Sequence, residues 1–257
     1  MEKERGYDLS ITSFSPDGRI FQVEYAIEAI RHGSTAIGIK SPEGVVLVVE
    51  KRIYPLQDPE SIEKIFNIDI HVGAAIAGLT ADARVLIDHA RVQAQINRLT
   101  YDEDIPINQL IRKICDLKQI YTQNAGGRPF GVSLLVAGVD SNGPQLMMSA
   151  PSGAYWTFKA QAIGAGASKV QEFFEKEYKP NISLENAIIL ALGALKRVLE
   201  AEKFEPKNME IAIVKTDTRK FIRFTIDKIK SYIKKYNESE ISKKEDKKED
   251  KKKNKKS

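Results

Sequence analysis

Two hydrophobic rhythms alternate in blocks along this chain, and their order limits the folds open to it. A helical face comes first: Ile20, Val23, Ile27 and Ile30 recur at spacings of three and four, and Gly33 ends the run. Short β-rich runs follow at Ser34–Lys40 and Val45–Val49, joined by the turn Ser41-Pro42-Glu43-Gly44, with a further apolar strand pair over Ile68–Ala77. Val45–Val49 is apolar without a break, which predicts a strand buried on both faces. Thr80 is the expected N-cap of the next helix, with Asp82 in its first turn and Val85, His89, Val92, Ile96 and Leu99 as its face. A second helix begins near Pro106 and presents Leu110, Ile114, Leu117 and Tyr121.

Strands return at Val132–Val139, Gln145–Ser149 and Ala154–Lys159. Helices over about 167–178 and 183–200 come next, the latter capped by Ser183. A hairpin of Met209–Lys215 with Lys220–Phe224 precedes a last helix marked by Ile226, Ile229, Ile233 and Tyr236. Strands and helices thus arrive in pairs and blocks rather than singly in turn. That order argues against a doubly wound parallel sheet. It predicts an α+β fold, two antiparallel sheets stacked and covered by helices on both outer faces, an αββα sandwich.

Composition excludes several classes. The net charge of +5 lies wholly in the last fifteen residues, Lys243–Ser257, which hold nine lysines and four acids; residues 1–242 are neutral. Such a run reads as a solvated, disordered tail over 237–257. Interleaved acids and the lack of aromatic residues argue against a nucleic-acid tether. One cysteine, Cys115, allows no internal disulfide and fits a reducing compartment. Three scattered histidines give no metal-ligand spacing with it, so no metal and no cofactor are expected. No apolar run approaches the roughly 20 residues a spanning helix needs, and Met1–Ser10 is too polar for a secretory signal. A cytoplasmic chain with no membrane partner is expected.

Recognisable chemistry is scarce. Gly164-Ala165-Gly166-Ala167-Ser168 lacks the Lys-Ser/Thr pair of a phosphate loop and the third glycine of a dinucleotide fingerprint, so it reads as a tight strand-to-helix turn. No Gly-x-Ser-x-Gly elbow is present.

Five motifs carry more. Tyr7-Asp8 followed by Phe14-Ser15-Pro16-Asp17-Gly18-Arg19-Ile20-Phe21-Gln22-Val23-Glu24-Tyr25-Ala26 resembles the signature of proteasome α-subunits. So do Gly33-Ser34-Thr35-Ala36-Ile37-Gly38, Ser61-Ile62-Glu63-Lys64-Ile65, Gly78-Leu79-Thr80-Ala81-Asp82-Ala83-Arg84 and Arg128-Pro129-Phe130-Gly131-Val132-Ser133, in family order over about 1–235. The resemblance is nearest to archaeal 20S α-subunits. It implies the αββα fold of the N-terminal-nucleophile hydrolases, with a gate segment and signature helix over 1–33 and the sandwich over 34–236.

The resemblance also implies a role without catalysis. In the related β-subunits an N-terminal threonine is the nucleophile and its free amine moves the proton. Here Ser34 holds that place behind thirty-three residues, so its nitrogen is an amide. Glu50 matches a β-subunit acid, but the expected lysine falls near Glu60, and Lys64 is a different lysine. A self-processing hydrolase is the alternative. What the family implies instead is a heptameric ring of this chain stacked on β-rings. Tyr7, Asp8, Pro16 and Tyr25 would hold the gate, and Asn124, Ala125, Gly126 and Gly127 would line the pore, where familiar members carry an aromatic. Lys64, Gly78 and Leu79 would receive the C-terminal tails of a hexameric activating ATPase that delivers unfolded proteins.

Overall fold

Two five-stranded antiparallel sheets lie face to face in the computed structural model, which describes residues 10, 12–124 and 126–253, with side chains through residue 241. The first sheet runs β10 (Phe221–Arg223), β9 (Met209–Lys215), β2 (Gly44–Glu50), β1 (Ala36–Ser41), β8 (Ala160–Ile163). The second runs β3 (Ile65–Asp69), β4 (Val72–Gly78), β5 (Val132–Asp140), β6 (Gly143–Ser149), β7 (Tyr155–Thr157). Helices α4 (Ala167–Glu177), α5 (Leu184–Val198) and α6 (Ile226–Lys253) cover the first sheet, and α2 (Thr80–Tyr101) and α3 (Ile107–Gln123) cover the second. The result is the expected four-layer αββα sandwich.

The strand alternation divides the core into three layers. Along β2, Val46 and Val48 face α5, while Val45, Leu47 and Val49 face the other sheet. That is why a strand in an antiparallel sheet reads as one apolar run: both of its faces are dry. The middle layer is filled from both sheets by Val45, Leu47, Ala75, Leu135, Leu146 and Ala212, among others. Helix α1 (Phe21–Arg31) stands apart and packs on β4 and β5, burying Ala26 and Ile30.

Four expectations are corrected. The stripe chosen as the buried face of α2 points to solvent: Val85, Val92, Ile96 and Leu99 are 54%, 54%, 49% and 88% exposed. The buried side is Ala83, Leu86, Ile87, Ala90 and Ala94, with Asp82 and Asn97. Three alanines on that side let the helix axis approach the sheet closely, whereas a search for bulky residues selects the opposite face. Thr80 is not the N-cap; it is the first helical residue, behind Leu79, which makes no side-chain cap. The four-residue β8, an Ala-Gln-Ala-Ile run too short to show a period, pairs with β1 beyond the strand expected at 154–159. Finally, helix continues through 237–253, where disorder was expected, and Ser239 and Glu240 are still half-buried on it. Lysines and acids three and four apart support helix, so a charged run is not by itself a helix breaker.

Candidate functional site

The β3–β4 hairpin and the start of α2 bring separate motifs to one junction. Lys64 leads into β3, and Gly78 and Leu79 close β4, so the antiparallel pairing sets them side by side. The Lys64 ammonium donates to Thr80 Oγ1 at 2.9 Å. Its backbone N–H donates to the buried Glu210 carboxylate at 3.3 Å, as does that of Ile65 at 3.0 Å. Burial, and then the nearby Arg52, push the Lys64 pKa below that of a free lysine, against the pull of Glu210 and Glu50. A half-buried cation bonded to a neutral hydroxyl has capacity left for an anion.

Two glycines allow this junction to be tight. Gly78 has φ +110°, and a side chain on it would collide with the Gly131 carbonyl. A side chain on Gly33 would strike the Gly78 nitrogen, so the end of α1 rests directly on the end of β4. Leu79 is 44% exposed and packs toward Gly131, which also lies near Ala29 of α1. Lys64, Gly78 and Leu79 therefore lie close together at the foot of α1.

The remaining sites are less completely gathered. Tyr7, Asp8 and Ala125 lie outside the described residues. Pro16 sits in a turn closed by Gly18 N–H donating to the Ser15 carbonyl at 2.9 Å, with Gly18 at φ +74°. Tyr25 is 52% exposed on α1 and stacks on Phe21 at 6.4 Å. Asn124 caps the C-terminus of α3, and Gly126 has open space around it. Gly127 lies under the ring of Tyr121, which meets Phe130 edge-on at 4.9 Å.

One member of this region escaped sequence reading. Asp82 accepts both arms of Arg128, at 2.6 and 2.7 Å, and the Gly131 N–H at 2.8 Å, tying the loop before β5 to the first turn of α2. Burial would raise the Asp82 pKa; the hydrogen bonds from Arg128 and Gly131 outweigh it and hold the carboxyl below its ordinary range. Both residues stand in motifs quoted above, but nothing in their spacing announces the pair. Asp82→Ala should destabilise the fold by about 1–3 kcal/mol, since the Gly131 N–H loses its acceptor. Urea midpoints at neutral pH measure this, and an unchanged midpoint would mean the pair only decorates the surface. A carboxyl with a depressed folded-state pKa stabilises above its unfolded pKa, and the stability is lost as pH falls through the folded one. The gap between wild type and variant should therefore close in acid.

The place of a would-be nucleophile is occupied by structure. Ser34 is 6% exposed, and its Oγ has no hydrogen-bond partner among the described residues. Thr35 N–H donates to Glu50 Oε2 at 2.9 Å, and Thr35 Oγ1 accepts from Gly166 N–H at 3.1 Å. Arg52 pairs with Glu50 at 2.8 Å and donates to the His32 carbonyl at 3.0 Å, so the acid is already neutralised. The Gly164-Ala165-Gly166 turn holds this strand: Ala165 N–H donates to the Gly33 carbonyl at 3.0 Å. It is the structural turn that the sequence predicts.

Comparison with known proteins agrees with the geometry. The N-terminal signature of proteasome A-type subunits matches residues 7–29, and the proteasome subunit profile matches residues 30–214. The chain belongs to the proteasome subunit family, on its α side. It is 54% identical over 236 residues to the proteasome subunit alpha of Archaeoglobus fulgidus, covering 91% of this chain and 95% of that one. It is 51% identical over 245 residues to that of Methanosarcina barkeri, covering 93% and 98%. For Pyrococcus horikoshii the identity is 50% over 247 residues, covering 94% of each. The α-signature spans Pro16 and Tyr25, and the larger match takes in Lys64, Gly78, Leu79 and the loop at 124–131. A proteasome α-subunit assembles with its own copies and with β-subunits. The exposed apolar row on α2 is the kind of surface that assembly covers.

Proposed function

We propose that this chain is the non-catalytic, gating α-subunit of a 20S core. Seven copies form each outer ring, cap the proteolytic β-rings and admit unfolded proteins delivered by a hexameric ATPase in the cytoplasm. Lys64 at the foot of α1 carries this reading: a desolvated ammonium beside exposed Leu79 and a close-packed glycine suits a C-terminal carboxylate with an apolar neighbour. A tail seated there would press on the α1 lead-in at Pro16 and shift the gate, provided it binds the open state better. The lack of catalysis is supported by Ser34, whose nitrogen is an amide and whose hydroxyl is buried.

The test is a peptidase assay of this chain alone and reconstituted with its β partner. No activity alone and activity together are expected, with a full-length intact mass. Cleavage before Ser34 would instead support a self-processing hydrolase. Deleting residues 2–12 should raise the basal rate of the reconstituted core without an activator. An unchanged rate in an assembled deletion would remove the gate assignment.

A further inference from the structure

At the end of the β3–β4 hairpin opposite Lys64, two turns bring together three metal-ligating side chains. Asp69 and His71 lie on the hairpin turn, and Asp104 lies on the loop between α2 and α3. One ligand atom from each lies within 4.8 Å of the others. Asp69 and His71 are buried, and Asp104 is exposed, so the cluster opens to solvent on one side.

The histidine makes this more than a pair of acids. His71 is fully buried, and its Nε2 lies 2.9 Å from the Ile105 carbonyl. A carbonyl only accepts, so Nε2 carries a proton, and in the neutral form of the ring the bare lone pair is on Nδ1. That Nδ1 has no hydrogen-bond partner among the described residues and faces Asp104 Oδ2 at 3.9 Å. A buried, unpartnered acceptor aimed at a carboxylate is an unfavourable arrangement that a cation between them would satisfy. The Nε2 bond to a backbone carbonyl is also the outer contact that metal-bound imidazoles make, because it fixes the ring and the tautomer.

A competing cation stands nearby. Arg98 donates to Asp69 at 3.0 and 3.1 Å and to Asp104 at 2.6 Å. Its guanidinium offsets one of the two negative charges, but its hydrogen bonds go to the carboxylates and none reaches Nδ1. The Arg98 side chain is 32% exposed, so it can swing outward when a divalent ion arrives.

We propose that Asp69, His71 and Asp104 bind one divalent cation of the Zn2+ type, which joins the hairpin turn to the α2–α3 loop. One imidazole with two carboxylates suits Zn2+ or Co2+ better than Ca2+ or Mg2+, which favour all-oxygen sets. Histidine and cysteine spacing could not show this site, because one histidine and two aspartates from separate turns make it. Bound metal would hold the loop and leave a fourth position for water.

The experiment titrates the full-length chain with Co2+, followed by visible absorption, and with Zn2+ by equilibrium dialysis. One saturable ion per chain is expected, with a rise in Tm. Asp104→Asn, a near-isosteric change at an exposed position, should weaken binding at least tenfold, and His71→Asn should do the same. Arg98→Gln should tighten it, since the competing cation is gone. No saturable ion, or equal affinity in the wild type and Asp104→Asn, would overturn the site. Because His71 is fully buried and its variant can misfold, the Asp104 comparison decides.

Discussion

Cores assembled with Lys64→Ala are expected to form normally and to show no rise in peptide hydrolysis when an activating ATPase is added. The argument rests on where the ammonium sits. A solvated surface lysine attracts a carboxylate weakly, because both groups keep their water. Lys64 is half-buried, with its ammonium donating to Thr80, so burial has already removed part of its hydration. A charge-assisted hydrogen bond to an entering carboxylate is then worth about 1.5–3 kcal/mol, or roughly 10- to 150-fold per tail. Several tails docking on one ring multiply the loss.

Removing the side chain should cost little in folding, since the Glu210 contact is made by the backbone N–H and survives. Assembly and basal hydrolysis therefore separate from stimulation. Lys64→Arg keeps the charge and should retain part of the response. Because burial lowers the Lys64 pKa, stimulation should fade with rising pH earlier than for an ordinary lysine at 10.5. Normal stimulation of Lys64→Ala would exclude the pocket.

How far the sequence reveals this molecule depends on which forces act locally. The αββα layering is legible because blocks of period two and period 3.6 record which sides of each element are dry. Val45–Val49 and the Ser183 cap, which accepts from Asn186 N–H at 3.3 Å, are both read correctly for that reason. The face of α2 is misread because bulky apolar residues mark interfaces as well as cores, and this helix turns its alanines inward. The junction of Lys64 with Gly78 and Leu79 is reached through family motifs; no spacing rule joins residues across a hairpin. The Asp82–Arg128 pair and the Asp69, His71 and Asp104 cluster stay hidden for the same reason. Their partners are far apart in sequence, and single charged residues carry no period.

Lys118 shows that limit most clearly and supports the largest expected change in stability. It falls beside the apolar row of α3, where a lysine ordinarily extends its stem and leaves its charge in water. Instead it is fully buried, and its ammonium donates to the Val132 carbonyl and to Ser149 Oγ, each at 2.8 Å, and to the Ala150 carbonyl at 3.4 Å. It therefore fastens α3, the start of β5 and the turn after β6 to one another. Lys118→Ala opens a cavity and strips these acceptors, and should cost about 3–5 kcal/mol. Lys118→Met refills the volume and should recover part of that loss, which separates packing from polarity.

Burial pushes the Lys118 pKa down from 10.5 to about 7, and the signs then follow. Well below pH 7 both folded and unfolded chains hold the proton, so the cost of burying the charge is constant. Between about 7 and 10.5 only the unfolded chain holds it, so this group makes stability rise with pH, by at most ~1.4 kcal/mol per unit. Urea midpoints of the wild type and Lys118→Met at pH 7 and pH 9 measure the difference. The wild type should gain relative to the methionine variant over that interval. Equal slopes would mean that the three acceptors keep the ammonium charged throughout, and that hydrogen bonding rather than desolvation governs the site.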